Sequence, residues 1–145
     1  LIIKERPQLE HHVFTLTASD TLENLTYLVE NLPEVSFHIA AKTNVSDRLE
    51  AFKKYDNVTL YTNVHHDDII EDLLDQSEIY LDINHWDQVD SIVDRAFEKG
   101  KPVFAFDNVV HRAELGASVF SHQDPEMMVK EIQRQLFGIA VDTVN

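Results

Sequence analysis

The segment richest in groups able to do chemistry runs from Tyr80 to Phe106, with Asn84, His85, Trp86 and Asp87 following a buried-type run and Asp90 and Asp94 further on. Trp86 offers a flat apolar face suited to a sugar or a peptide, although an indole can equally pack between domains. Asn84 or Asp87 could cap the helix that follows, and the acids of its first turn would favour the positive end of the helix dipole. On the same grounds Thr17 and Ser19, just after an earlier apolar run, offer hydroxyls to a ligand crevice.

Other chemistries find less support. His65, His66 and His85 fall on loops at one end of the expected sheet, but no two histidines stand four apart and cysteine is absent, so no metal site is expected. His111 and Arg112 are read as a solvated loop after the fifth strand. No glycine-flanked serine elbow is present. The first strand is followed by Thr17-Ala18-Ser19-Asp20-Thr21-Leu22-Glu23, without the glycines of a dinucleotide fingerprint, and Asp20 and Glu23 have the spacing of a reciprocal helix cap. The phosphate-binding lysine loop is missing as well, and no cofactor is expected.

The elements that must position these groups follow from periodicity. Strand-length runs at Val13–Thr17, Val35–Ala40, Val58–Tyr61, Ile79–Ile83, Pro102–Phe106 and Ser118–Phe120 alternate with helical stripes such as Leu22, Leu25, Leu28, Val29 and Leu32. Further helices are predicted around Ile69–Leu74 and over Val45–Lys54, Val89–Lys99 and Glu126–Phe137, the last opening at Asp124-Pro125 as cap and first-turn proline. Strands joined by helical crossovers are parallel and right-handed, which predicts a three-layer, Rossmann-like doubly wound α/β sheet of about six strands, in the order 3-2-1-4-5-6 by analogy with that class. Ligands of such sheets lie beyond the carboxyl ends of the strands, at the switch point between the first and fourth.

A chain of 145 residues fits one domain with a substantial core. It opens on Leu1 with no secretion leader, which reads as part of something longer, and Leu1–Gln8 is ambiguous between a strand end and a connection. Every apolar run falls short of the roughly 20 residues of a membrane helix, so no membrane span is expected. With 26 acidic and 12 basic residues the formal charge is −14, which disfavours nucleic acid and anionic lipid as partners. Any bound phosphate would be held locally, by backbone amides and helix N-termini. The absence of cysteine suits a cytoplasmic protein.

The pattern Ala96-x-x-x-Gly100-x-Pro102-Val103 resembles the carboxyl-terminal half of bacterial glycosyltransferases built from two facing Rossmann domains, the GT-B plan. The wording Leu81-Asp82-Ile83-Asn84-His85, with Ala96-Phe97-Glu98 and Phe104-Ala105-Phe106-Asp107-Asn108, is similar to the glycosyltransferase pair of the bacterial accessory secretion system, which glycosylates serine-rich adhesins in the cytoplasm, and in particular to its stabilising, non-catalytic subunit. The resemblance implies a connection to an N-terminal Rossmann domain over residues 1–12, the nucleotide-sugar-binding-type domain over 13–137 and a tail over 138–145. It also implies a catalytic glycosyltransferase subunit and a serine-rich protein acceptor as partners.

Retaining members of the broad family carry two glutamates eight positions apart that handle donor sugar and ribose, and counting back from Ala96 places Asp87 and Arg95 there. A guanidinium only donates, so it cannot accept two ribose hydroxyls; a slip of one residue would offer Asp94. The basic pair that catalytic members carry after the first strand is absent from Ala18–Leu25, and Asp87 and Asp90 near a helix N-terminus would repel an anion.

These departures point to a stabilising, acceptor-binding domain with Asn84, His85 and Trp86 as contacts. The rival is an active retaining transferase moving a hexose from a nucleotide diphosphate sugar to a hydroxyl. In it Asp87 is the catalytic residue, Asp87 with Asp90 or Asp94 contacts sugar and ribose, and the amides after Asn84 cradle the diphosphate. A receiver-like module is disfavoured because Tyr61-Thr62-Asn63 stands where a phosphorylatable aspartate belongs.

Overall fold

The computed structural model describes residues 9–138. Leu1–Gln8 and most of the expected tail, 139–145, lie outside the described residues. Six strands form one sheet: β1 His11–Thr17, β2 Val35–Ala41, β3 Val58–Tyr61, β4 Ile79–Asp82, β5 Val103–Phe106 and β6 Ser118–Phe120. Their order is β3-β2-β1-β4-β5-β6 and every pairing is parallel, as the alternation of elements requires. The helices are α1 Leu25–Asn31, α2 Asp47–Glu50, α3 Asp67–Gln76, α4 Ile92–Glu98 and α5 Pro125–Phe137, with 3-10 turns at Ala51–Lys54 and Ala113–Leu115.

The two-residue period of the strands sorts their side chains into two cores. Val13, Phe37, Ile39, Ile79, Leu81, Phe104 and Phe106 face α1, α2 and α5, where Leu25, Leu28, Leu49, Met128 and Ile132 close that layer. Phe14, Leu16, Ala40, Tyr80 and Val103 face α3 and α4, against Ile70, Leu73, Leu74, Ile92, Val93 and Ala96.

The sheet opens at its centre. β1 and β4 pair only at Val13↔Ile79 and Phe14↔Tyr80, although β1 continues to Thr17. Beyond the split the buried Tyr80 hydroxyl accepts from the Leu16 amide at 3.1 Å and donates to the Leu16 carbonyl at 3.3 Å, supplying the bonds a paired strand would have made. Burial raises the phenol pKa far above its ordinary value.

Several helix starts differ from the sequence reading. Asp20 and Glu23 do not cap α1: Asn24 precedes that helix in a left-handed conformation (φ 56°), the Asp20 carboxylate accepts the Ser46 amide at 3.3 Å, and Glu23 reaches across to other loops. α4 begins at Ile92 rather than near Val89, because Asp90 and Ser91 are left-handed (φ 52° and 54°) and break the helical path; neither Asn84 nor Asp87 caps it, and only Asp94 lies in its first turn. Asp124 makes no side-chain cap bond to α5, although Pro125 does sit in the first turn. The predicted helix over Val45–Lys54 is one short α turn that tightens into the 3-10 turn.

Candidate functional site

At the carboxyl ends of β1, β2 and β4 the loops enclose a concavity of about 460 Å³ lined by Ala18, Ser19, Asp20, Thr21, Ser46, Arg48 and Trp86. A second concavity of about 360 Å³, lined by Ala18, Trp86, Asp87, Gln88 and Val89, shares Ala18 and Trp86 with it. Trp86, 65 % exposed, is thus common to both at the switch point, where a doubly wound sheet binds its ligands.

The loops are tied to each other by their own backbone. Leu22 and Asn84 form an antiparallel bridge between the loops after β1 and β4; the Glu23 amide donates to the Ile83 carbonyl at 2.8 Å and the His85 amide to the Thr21 carbonyl at 3.3 Å. The Glu23 carboxylate adds His85 Nε2 at 2.7 Å and Asn108 Nδ2 at 3.0 Å, joining the loops after β1, β4 and β5.

The named candidates divide accordingly. Trp86, Asp87 and Ser19 line the concavities. The buried Thr17 hydroxyl accepts the Ser19 amide at 2.9 Å and donates to the Ser19 carbonyl at 2.8 Å, while Ser19 Oγ accepts the Thr21 amide, so both hydroxyls shape their own loop. Asn84, 1 % exposed, donates to the carbonyls of Trp86 and Asp87 at 3.0 and 3.2 Å and braces the turn from within. Asp90 is paired with Lys42 at 2.6 Å, and Asp94 holds Arg112 Nη1 through both oxygens at 2.6 and 2.7 Å. Arg95 is spent on α3, with Glu71 at 2.5 Å and Asp67 at 3.2 Å.

His111 and Arg112 are not a solvated loop. Asp82, with a fully buried side chain, accepts the His111 amide at 2.8 Å on one oxygen and His111 Nδ1 at 2.5 Å on the other, and His111 Nε2 meets the Trp86 carbonyl at 2.5 Å. A buried carboxylate is tolerated when its oxygens are satisfied this way. The hydrogen bond to Asp82, with that carboxylate's charge and the Trp86 carbonyl, raises the His111 pKa above the ordinary histidine value against the opposing effect of burial.

His65 and His66 are exposed between β3 and α3, and His85 is engaged by Glu23; among the described residues no cluster of three or more such groups could hold a metal. Two contributors were missed from sequence. Arg48, from α2, is the only basic residue among the described residues that line the switch-point concavities, and the Asp82–His111 pair braces the Trp86 turn. Arg48 could have been found by extending the search for cations to the segment after β2, whereas 29 positions separate Asp82 from His111.

The fold is shared with known proteins. A family profile described as "GftB/GlyA-F C-terminal domain" matches residues 13–139. The chain is 42 % identical over 128 residues to a UDP-N-acetylglucosamine--peptide N-acetylglucosaminyltransferase stabilizing protein GtfB of Streptococcus agalactiae, covering 87 % of this chain and 28 % of that protein. It is 40 % identical over 127 residues to the glycosyltransferase GlyB of Streptococcus pneumoniae, covering 88 % and 31 %. Among solved structures, the GtfA/B complex bound to UDP and GlcNAc matches with TM-score 0.79 at 35 % identity, covering 90 % of this chain and 30 % of that one. The apo form of glycosyltransferase GlyE from Streptococcus pneumoniae matches with TM-score 0.82 at 32 % identity, covering 88 % and 33 %. The chain therefore spans about a third or less of the length of these relatives.

Proposed function

We propose, since this chain belongs to the GftB/GlyA-F C-terminal domain family, that it serves as the carboxyl-terminal Rossmann domain of a stabilising, non-catalytic glycosyltransferase-like subunit. That subunit contributes to protein glycosylation: it pairs with a catalytic glycosyltransferase, packs against an N-terminal Rossmann domain of its own, and helps to hold a serine-rich protein acceptor in the cytoplasm. Residues 1–12 would form the connection to that N-terminal domain. The observation that carries the reading is the fate of the acidic pair. Arg95 is consumed by Glu71 and Asp67, and Asp94 by Arg112, so Asp87 is left without the second carboxylate that ribose recognition needs. What faces outward is Trp86, an aromatic anchor suited to a macromolecular contact.

The enzymatic alternative draws on one feature: Arg48 and Asp87 line adjoining concavities beside Trp86, one able to meet a phosphate and the other a sugar hydroxyl. Isothermal titration of the full-length protein with uridine diphosphate separates the readings. The stabilising role expects no heat of binding at this domain and a stable complex with the catalytic subunit. Clear binding that disappears on Asp87→Ala or Arg48→Ala would favour the transferase instead.

A further inference from the structure

We propose that His111 is a positioning residue that, as an imidazolium, latches the Trp86 turn onto the buried end of β4, and that loss of its proton releases the turn. This deepens the reading given above, since it concerns regulation of the same surface.

The Trp86 carbonyl can only accept, and it faces His111 Nε2 at 2.5 Å; Nε2 must therefore carry a proton. On the other side of the ring Nδ1 lies 2.5 Å from Asp82 Oδ1, while the His111 amide occupies Oδ2. With Asp82 as carboxylate, both ring nitrogens donate, which is the charged form of the side chain. A neutral ring has one N–H to give and sets a lone pair against an oxygen on the other side, so one of the two contacts fails. The bond to the buried carboxylate is charge-assisted and persists, and the Trp86 carbonyl is the partner given up. Asn84 Nδ2, at 3.0 Å, then remains as the side-chain partner of that carbonyl.

The charged groups around the ring favour the latched form. Asp82 lies at the end of β4 and Asp87 on the latched turn itself, both stabilising the imidazolium. The nearest cation on its own loop, Arg112, is bound by Asp94 of α4 and by Glu114. Raising the pH removes the His111 proton and frees the most exposed large apolar side chain among the described residues.

Trp86 is the only tryptophan of the chain, so its fluorescence reports the turn directly. Emission of the 145-residue chain is followed from pH 5 to pH 9 in the parent and in His111→Gln, His85→Gln and His122→Gln. The expected result is a one-proton emission shift with its midpoint above the ordinary histidine value, lost in His111→Gln and retained in the other two. A flat profile in the parent, a shift that survives His111→Gln, or one abolished by His85→Gln overturns the proposal. If His111→Gln does not fold, the ring nitrogen shifts of His111 in the parent decide by nuclear magnetic resonance: a doubly protonated ring at pH 6 that titrates together with the Trp86 indole supports the latch, and a neutral ring at pH 6 refutes it. No partner or nucleotide enters these measurements, so their failure is separable from failure of the stabilising-subunit reading.

Discussion

At the scale of single residues, histidine burial sets how this protein answers pH. His38, on the α3 face of β2, is 8 % exposed and sits between His12 at 2.9 Å and the Tyr61 hydroxyl at 2.9 Å. Burial, and then the neighbouring His12, lower its pKa to about 4. The unfolded chain takes up this proton near pH 6.5, so stability is complete above that value and is lost as pH falls toward 4. The loss amounts to about 3 kcal/mol at roughly 1.4 kcal/mol per pH unit. Urea unfolding at pH 7 and pH 4.5 should show most of this loss in the parent and a smaller one in His38→Gln. His111 has the opposite sign: its contribution is complete below the ordinary histidine pKa and fades as pH rises through its raised value.

At the scale of elements, two joints decide how well the framework holds the site. The split between β1 and β4 is bridged by Tyr80, whose hydroxyl is the partner of the Leu16 amide. Tyr80→Phe leaves that buried amide unpaired and should cost about 1–3 kcal/mol in denaturant unfolding, with the sheet order unchanged. The turn from α4 into β5 depends on Gly100 at φ +73°, where a Cβ would meet nothing within 4 Å. The cost of Gly100→Ala is therefore one of backbone conformation, about 1 kcal/mol, and a fall in Tm without change in the Trp86 environment would verify it.

At the scale of the whole molecule, a formal charge of −14 sits on a domain whose switch-point surface carries one arginine and one exposed indole. Such a surface is poorly suited to concentrating a diphosphate, and better suited to a contact that uses an aromatic anchor. Trp86→Ala in the full-length protein should weaken the proposed association with a catalytic subunit or acceptor by about 10- to 100-fold while leaving thermal stability within about 0.5 kcal/mol. Surface plasmon resonance with the purified partner measures the first and calorimetric melting the second. An unchanged affinity would place the contact elsewhere.

Alternation of apolar strands with helical stripes was enough to predict about six parallel strands, because a helical crossover returns each strand in the same direction, and their observed order was expected by analogy with doubly wound sheets. The position of the crevice followed from the same rule, and Trp86 and Asp87 were legible as residues that line it. The starts of α1 and α4 were not, since Asp20, Glu23 and Asn84 have the spacing of caps but spend their side chains on other loops or on the turn itself. The partners of Arg95, Asp94 and His111 belong to tertiary structure alone: Glu71, Arg112 and Asp82 stand 18 to 29 positions away in sequence. Hydrophobic period is a local property that a chain carries on its surface as text, whereas the choice of partner for a charged side chain depends on which neighbours the packed layers bring within about 3 Å.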